Sequence, residues 1–139
     1  MIAYCVLYYG TLFFSGKERR RSMSFIRKIT DDPVRTERMK GGAGYILAKP
    51  ILNGREEMYD KGRVFQHTII DPGCEIGLHK HEGEAETYYL IKGSGIYYRD
   101  DEKVRINAGD ITFCGDGESH GFFNDTDETA EMIALILDK

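Results

Sequence analysis

The sequence has few cysteines and no C-x-x-C pair. Its three cysteines are Cys5, Cys74 and Cys114, and an odd number without such a pair indicates neither a disulfide framework nor a zinc knuckle. We therefore interpret Cys74 and Cys114 as small buried hydrophobic residues and expect a reducing, cytoplasmic location. The chain also lacks a long apolar stripe of helical period, which argues against a helical core.

The chain also has no net positive charge. The formal net charge is −4 at pH 7, and the chain has no basic stripe of the kind that supplies a nucleic-acid-binding face. The apolar segment Ile2–Phe14 has 13 residues, fewer than the roughly 20 that a membrane span needs. These absences argue against nucleic-acid and membrane partners and favour a small-molecule metabolite.

The first 22 residues differ from the rest of the chain. An apolar stretch is followed by a charged run at positions 17–21, and no basic segment precedes the apolar part as it would in a secretory signal. One hypothesis is that the natural start is Met23, because the preceding Gly-Lys-Glu-Arg-Arg can be encoded by the purine-rich codons of a ribosome-binding site. We therefore expect an N-terminal extension over residues 1–22, an N-terminal arm over 23–42 and a single domain over 43–139.

Glycine is abundant, and its distribution favours strands. Sixteen glycines and many short turn clusters are typical of an all-β chain, and 139 residues with 41% hydrophobic content suit one core. Asn53-Gly54 predicts a hairpin that returns through Arg55–Tyr59. A tight turn at residues 93–95 predicts a second hairpin between Ala85–Lys92 and Ile96–Asp100. The other predicted strands are Tyr45–Leu52, Val64–Ile70, Glu75–His79, Lys103–Ile106, Ile111–Cys114, His120–Asn124 and Thr129–Leu137.

Three of the four histidines fall into one spaced pattern. His79 and His81 are two residues apart, so in an extended strand both imidazoles project from the same face and can bind one ion. Glu86 can reach that ion from a neighbouring strand, whereas Ala85 offers no donor atom. His120 follows His81 by 39 residues and must arrive from a distant strand. Glu82 and Glu84 are interpreted as loop charges.

This spacing resembles the two motifs of the cupin superfamily, over roughly residues 63–138. Every defining position of the first motif is present, and the second motif departs from the family at one place. The proline usually found two residues before the second glycine is Gly115, a change that should loosen the turn without touching a ligand. The matching residues are Gly73, His79, His81, Glu86, Gly93, Gly109, Gly117, His120 and Asn124.

The resemblance implies a cupin-type jelly-roll barrel, a double-stranded β-helix of two Greek keys. Many chemistries share this fold, so it implies architecture more firmly than reaction. It also implies a homodimer, because cupins commonly pair through outer β-surfaces and N-terminal strands.

Three neutral imidazoles and one carboxylate would leave a divalent ion with net positive charge and, in octahedral geometry, two positions for water or substrate. The donor set suits Mn, Fe, Co, Ni or Zn, and affinity order alone does not choose among them. The leading hypothesis is an isomerase, epimerase or lyase in which the ion acts as Lewis acid on a small hydroxy-carbonyl, sugar or keto-acid metabolite. An Fe-dependent dioxygenase is an alternative.

Proton transfer in such an enzyme needs a nearby base, and the candidates in the sequence are Tyr88, His67 or an unligated glutamate. Tyr88 shares a strand face with Glu86 and is predicted to face the pocket. His67 shares a face with Phe65 and Ile69 and could point into the barrel, although a packed, hydrogen-bonded histidine fits the same pattern. A further alternative is a non-catalytic cupin that only captures a metabolite, and a positioned acid or base beside the metal would distinguish the two.

Overall fold

The described part of the chain consists mainly of strands. A computed structural model describes residues 24–29 and 31–139, and within them no helix is long and apolar enough to cross a bilayer. Two short helical segments are present, a 3-10 turn at Met39–Gly41 and α1 at Gly54–Glu57. The ten strands of the described residues are β1 (Val34–Glu37), β2 (Tyr45–Leu52), β3 (Gly62–Ile70), β4 (Glu75–Lys80), β5 (Glu84–Lys92), β6 (Ser94–Arg99), β7 (Glu102–Asn107), β8 (Ile111–Cys114), β9 (Ser119–Phe123) and β10 (Ala130–Asp138).

The strands form two antiparallel sheets. The larger sheet has the order β1-β2-β3-β10-β5-β8, and the smaller one has the order β4-β9-β6-β7. Strands far apart in sequence are therefore neighbours, as β10 is to both β3 and β5. This arrangement confirms the predicted all-β jelly-roll fold.

The core lies between the two sheets, because each strand turns every second side chain inward. Ile70, Leu90 and Met132 of the larger sheet have no exposed surface, and they meet Phe122 and Ile76 of the smaller sheet. A fully buried side chain of this size contributes about 1.5–3 kcal/mol relative to an exposed one. The same inward alternation brings polar residues into one end of the core.

The hairpin predicted at Asn53-Gly54 is wrong. The chain forms α1 there instead, with Gly54 at φ +68° and the Asn53 N–H donating to the carboxylate of Glu57 at 2.7 Å. The same carboxylate binds Arg27 at 2.6 Å. A side-chain acceptor four residues along the chain therefore closes a helical turn where the dipeptide pattern predicted a β-turn.

The second predicted hairpin is also wrong, although both of its strands are present. β5 and β6 lie in different sheets, and β6 pairs with β7 and β9. Gly93 carries the chain from one sheet to the other at φ +79°, and a Cβ at this position would lie 2.9 Å from the Cα of Ala130. A glycine is needed for this crossing, and the sequence signal for a tight turn does not distinguish the two arrangements.

The remaining strand predictions are mostly confirmed. The bounds of β2 and β8 match those predicted, and the others differ by one or two residues. Regular structure begins earlier than the glycine cluster at 41–44, since β1 pairs with β2 over Val34–Glu37. The extension predicted over residues 1–22, and with it the hypothesis of a start at Met23, lies outside the described residues.

Candidate metal centre

Strands from both sheets bring the four predicted ligands together. His79 lies in β4 and His81 follows that strand directly, while Glu86 lies in β5 and His120 in β9. β4 pairs with β9, and in that pairing His79 lies opposite His120. One ligand atom from each of the four residues lies within 4.8 Å of the others. The strand topology therefore brings the four ligand residues together, as the sequence spacing predicted.

The cluster is buried and compact. His81 is 2%, Glu86 6% and His120 0% exposed. Oε2 of Glu86 lies 2.9 Å from Nε2 of His120, 3.1 Å from Nε2 of His81 and 3.7 Å from Nε2 of His79. A carboxylate taken out of water is costly unless a compensating charge or donor faces it. Positive charge at the centre of this cluster would provide that compensation.

Two of the imidazoles also face each other. Nε2 of His81 lies 3.0 Å from Nε2 of His120. Two unprotonated nitrogens at this distance would repel through their lone pairs, so a proton or a cation has to lie between them. Imidazole nitrogens and carboxylate oxygens are the donors that divalent transition metals accept. The residues present therefore fit a metal ion.

The outer nitrogen of each imidazole has its own partner. Nδ1 of His79 lies 2.9 Å from the carbonyl oxygen of Gly77, and Nδ1 of His81 lies 2.8 Å from the carboxylate of Glu84. Both partners accept, so both histidines donate from Nδ1 and leave Nε2 free for an ion. Nδ1 of His120 lies 3.1 Å from the hydroxyl of Tyr97, which can accept in the same way.

The electrostatics of the cluster follow from burial and proximity. Burial alone would raise the pKa of Glu86, but the neighbouring imidazoles of His120, His79 and His81 outweigh it and hold that pKa well below its usual range. The hydrogen bond to Glu86 raises the pKa of His81. Burial lowers the pKa of His120. Glu86 is therefore ionised at neutral pH and available as a ligand.

A small cavity opens onto the cluster. Its volume is about 120 Å³, below the roughly 300–1,000 Å³ of pockets for drug-sized ligands, so it suits a small metabolite. The lining combines cluster residues with apolar side chains and a few polar ones: Met39, Lys40, Ile46, Arg63, Val64, Gln66, Thr68, Ile76, His79, His81, Glu86, Tyr88, Ala134 and Ile136.

Tyr88 lines this cavity, as predicted. Its hydroxyl donates to Oε2 of Glu86 at 3.2 Å, and its ring stacks on His120 with centroids 4.7 Å apart. Burial, together with the negative charge of Glu86, raises the pKa of Tyr88 well above its usual value. Tyr88 therefore stays protonated at neutral pH and acts as a donor to the cluster.

His67 lies elsewhere, and the expectation that it could point into the barrel is not met. Gln66 and Thr68 line the cavity, so the alternation of β3 turns His67 to the other face. There Nε2 of His67 lies 2.8 Å from the carboxylate of Glu131. The interpretation of His67 as a packed, hydrogen-bonded residue agrees with this position.

The sequence interpretation missed Glu84 and Arg63. Glu84 was grouped with Glu82 as a loop charge, but it begins β5 and its carboxylate contacts both His81 and Arg63. The two Arg63 contacts measure 2.6 and 2.5 Å, and they lower the pKa of Glu84 to about 2. The sequence spacing could have indicated that Glu84 lies near the cluster, because Glu84 precedes Glu86 by two residues and so shares its strand face.

The turn that lacks the usual proline supports His81 from its backbone. The Gly115 N–H donates to the carboxylate of Glu118 at 2.7 Å, a bond that proline could not make. The His81 N–H donates to the carbonyl of Glu118, and the Gly117 N–H donates to the carbonyl of His81, at 3.0 and 2.7 Å. This turn is therefore held by hydrogen bonds and lies against the cluster.

The comparisons with known proteins agree on the family to which this chain is similar. A family profile described as a cupin domain matches residues 66–136. An oxalate-binding protein of Thermotoga maritima is 38% identical over 112 residues, which cover 81% of this chain and 92% of that protein. The crystal structure of a predicted oxalate decarboxylase from Thermotoga maritima has a TM-score of 0.77 at 37% identity and covers 84% of this chain and 100% of that chain.

A more distant structure shares the fold alone. The polyketide cyclase RemF from Streptomyces resistomycificus has a TM-score of 0.65 at 18% identity, covering 83% of this chain and 80% of that chain. The family profile spans half of the present sequence, and the residues of both histidine motifs converge in one buried cluster. The chain is therefore a small member of the cupin superfamily, with a cluster that could hold a metal ion.

Proposed function

We propose that the protein binds a divalent transition metal through His79, His81, Glu86 and His120 and captures a small dicarboxylate of the oxalate type beside it. The observation that carries this proposal is the convergence of four ligand atoms within 4.8 Å at the wall of a cavity of about 120 Å³. When bound, the ion would supply a Lewis acid for adjacent carboxylate oxygens. Mn, Fe, Co, Ni and Zn all suit the donor set.

The similarity to the Thermotoga maritima protein described as oxalate-binding supports this ligand class. That protein is 38% identical over most of both chains. Oxalate is small and offers adjacent oxygens to one ion, which agrees with a cavity of this volume. Arg63 and Lys40 add cationic side chains to the lining.

The lining favours capture over proton-transfer chemistry. Among the described residues that line the cavity, the carboxylate and imidazole groups all belong to the cluster itself. Tyr88 is protonated at neutral pH and donates to Glu86. An isomerase, epimerase or lyase needs a group that accepts a proton from its substrate. We therefore favour metabolite binding over catalysis as the function.

The first experiment measures metal and ligand separately. Protein purified without a histidine tag or chelator is analysed for elements, beside the variants His81→Ala and His67→Ala. We expect near-stoichiometric metal in the wild type and in His67→Ala and a loss in His81→Ala. No metal in any of the three, or full retention in His81→Ala, would contradict the metal centre.

The second experiment titrates the metal-loaded protein with oxalate by calorimetry. Saturable binding that disappears in His81→Ala supports the proposal, whereas no heat in the wild type would overturn the proposed ligand. The same samples are assayed for formate and carbon dioxide. Formation of these products would show that the protein decarboxylates oxalate instead of only binding it. Decarboxylation is the activity predicted for the related protein of known structure.

We also propose a homodimer that forms through the outer face of the larger sheet. The outward side chains of its β5 and β8 region are mainly apolar, and Tyr89, Ile111 and Phe113 are all exposed, the last two by 68% and 66%. β8 is an edge strand of that sheet, and exposed apolar edges are normally covered. A second copy of the chain would cover this surface.

A further inference from the structure

We infer that Lys40 selects dianionic over monoanionic ligands at the metal centre. This inference rests on the proposed function, since it concerns the charge of the ligand that the cavity takes. Lys40 lines the same cavity as His79 and Glu86. It comes from the 3-10 turn at Met39–Gly41, outside the residues of both histidine motifs.

The backbone of Lys40 is held directly against the metal-binding strand. A Cβ placed on Gly77 would lie 2.3 Å from the carbonyl oxygen of Lys40 and 2.8 Å from the backbone nitrogen of Gly42. Only glycine permits so close an approach. Gly77 precedes His79 by two residues, and its own carbonyl accepts from Nδ1 of that histidine. Lys40 is therefore fixed relative to a ligand of the cluster.

The conformation of Lys40 is unfavourable for a lysine. Its φ and ψ are 54° and 32°, in the left-handed region, which residues with a Cβ rarely adopt. Backbone hydrogen bonds impose it, from Gly41 N–H to the Arg38 carbonyl at 2.8 Å and from Gly42 N–H to the Met39 carbonyl at 3.0 Å. Strain of this kind persists where the surroundings over-determine it, and it is concentrated at functional sites.

The charges around the cavity distinguish Lys40 from Arg63. Arg63 forms two contacts with Glu84 at 2.6 and 2.5 Å, so its charge is already neutralised. Lys40 has no ion pair with any residue that the structure describes. Lys40 is exposed, and among the described residues of the lining it carries the positive charge that no carboxylate compensates.

The net charge offered to a ligand then favours a dianion. A divalent ion held by three neutral imidazoles and one carboxylate keeps a single positive charge, and Lys40 adds a second. A dianion such as oxalate neutralises both charges, whereas a monoanion leaves one uncompensated. A lysine ammonium also provides up to three donors on a flexible stem, which suits the far oxygens of a small carboxylate.

The test compares two anions of the same size and different charge. Oxalate is a dianion, and oxamate replaces one of its carboxylate oxygens with an amide nitrogen and is a monoanion. Each is titrated by calorimetry into protein loaded with Mn²⁺, as wild type, Lys40→Gln, Lys40→Arg and the matched control Lys61→Gln. Lys61 is exposed in the turn before β3 and does not line this cavity.

We expect Lys40→Gln to weaken oxalate binding by about tenfold or more, the usual effect of losing a hydrogen bond to a charged group. Oxamate binding should change by less than about twofold, and Lys40→Arg should restore most of the oxalate affinity. Lys61→Gln should behave as the wild type. Bound Mn²⁺ is measured in each sample, and it should remain equal in all four.

Each alternative outcome is distinct. If the wild type binds oxalate and Lys40→Gln binds it equally well, the role of Lys40 is overturned while the proposed function stands. A parallel loss of both anions would also overturn charge selection, since it would indicate a role that is independent of ligand charge. If the wild type binds neither anion, the proposed function fails and the assignment of Lys40 fails with it.

Discussion

The Glu84 carboxylate accepts a hydrogen bond from Nδ1 of His81 at 2.8 Å. This contact determines which nitrogen of His81 faces the cluster, because a donor at Nδ1 leaves Nε2 unprotonated in the neutral ring. Arg63 donates to both oxygens of the same carboxylate. The chain Arg63, Glu84, His81 therefore orients a metal ligand from outside the cluster.

Replacing Glu84 should weaken metal binding without removing a ligand. In Glu84→Gln the amide can still contact His81, but it lacks the charge that orients the imidazole and increases its basicity. We expect metal affinity to fall by about 10–100-fold, measured by competition with a chromogenic chelator. Glu82→Gln is the matched control, because Glu82 is exposed and contacts Lys80. An equal loss in both variants would contradict a positioning role.

Removing the hydroxyl of Tyr97 should also weaken metal binding, but to a smaller extent. This hydroxyl lies 3.1 Å from Nδ1 of His120, so Tyr97→Phe removes the partner that keeps this ring in the tautomer with Nε2 free. We expect metal affinity to fall by roughly three- to tenfold, as for the loss of one neutral hydrogen bond. Tyr98→Phe, which loses a bond to Glu75 instead, should leave metal affinity unchanged in the same chelator competition.

Acidification should release the metal between about pH 7 and pH 5. An imidazole binds metal only when the coordinating nitrogen is unprotonated, so protons and the ion compete, and affinity falls as pH decreases. Without metal, the hydrogen bond to Glu86 raises the pKa of His81 above 6.5, while burial lowers that of His120. His81 should therefore take up its proton first.

The loss of metal at acidic pH can be assigned to protonation of the imidazoles. The pKa of Glu86 lies well below its usual range, so the carboxylate stays ionised throughout. Affinity should fall by up to about tenfold per pH unit for each imidazole that is protonated. Metal content after dialysis at a series of pH values measures the effect, and full retention at pH 5 would argue against imidazole ligation.

A charge on the outer face of the larger sheet should dissociate the proposed dimer. Phe113 is exposed on the edge strand β8, and a buried, unpaired carboxylate at an interface costs several kcal/mol. Phe113→Glu should therefore be monomeric in light scattering after size exclusion. Leu78→Glu, at an exposed position in β4 of the smaller sheet, should remain dimeric. A monomeric wild type would contradict the proposal.

Much of the fold could be predicted because strand patterns are local. Tyr45–Leu52 and Ile111–Cys114 were predicted with the bounds of β2 and β8, since apolar residues and flanking turn residues mark them. Which strands pair is not local. β5 and β6 are adjacent in sequence but belong to different sheets, because the chain crosses at Gly93 beside Ala130. That choice depends on the packing of both sheets.

The candidate metal ligands were predictable from spacing and chemistry together. His79, His81 and Glu86 lie on neighbouring stretches of chain, and His120 completes a donor set typical of divalent metals. His67 shows the limit of prediction from spacing, because strand alternation defines two faces but does not indicate which of them points into the core. The structure turns His67 towards Glu131.

The sequence by itself determined the all-β class, most strand positions and the four clustered donor residues, because each depends on local alternation or on residue chemistry. Only the tertiary structure decided the partners of those residues. Glu84 contacts His81, and Arg63 of β3 contacts Glu84. Tyr97 of β6 contacts His120, and Lys40 lines the cavity from the 3-10 turn. Apart from the contact between Glu84 and His81, these contacts join residues distant in sequence, and they exist only once sheet order, register and side-chain burial are set.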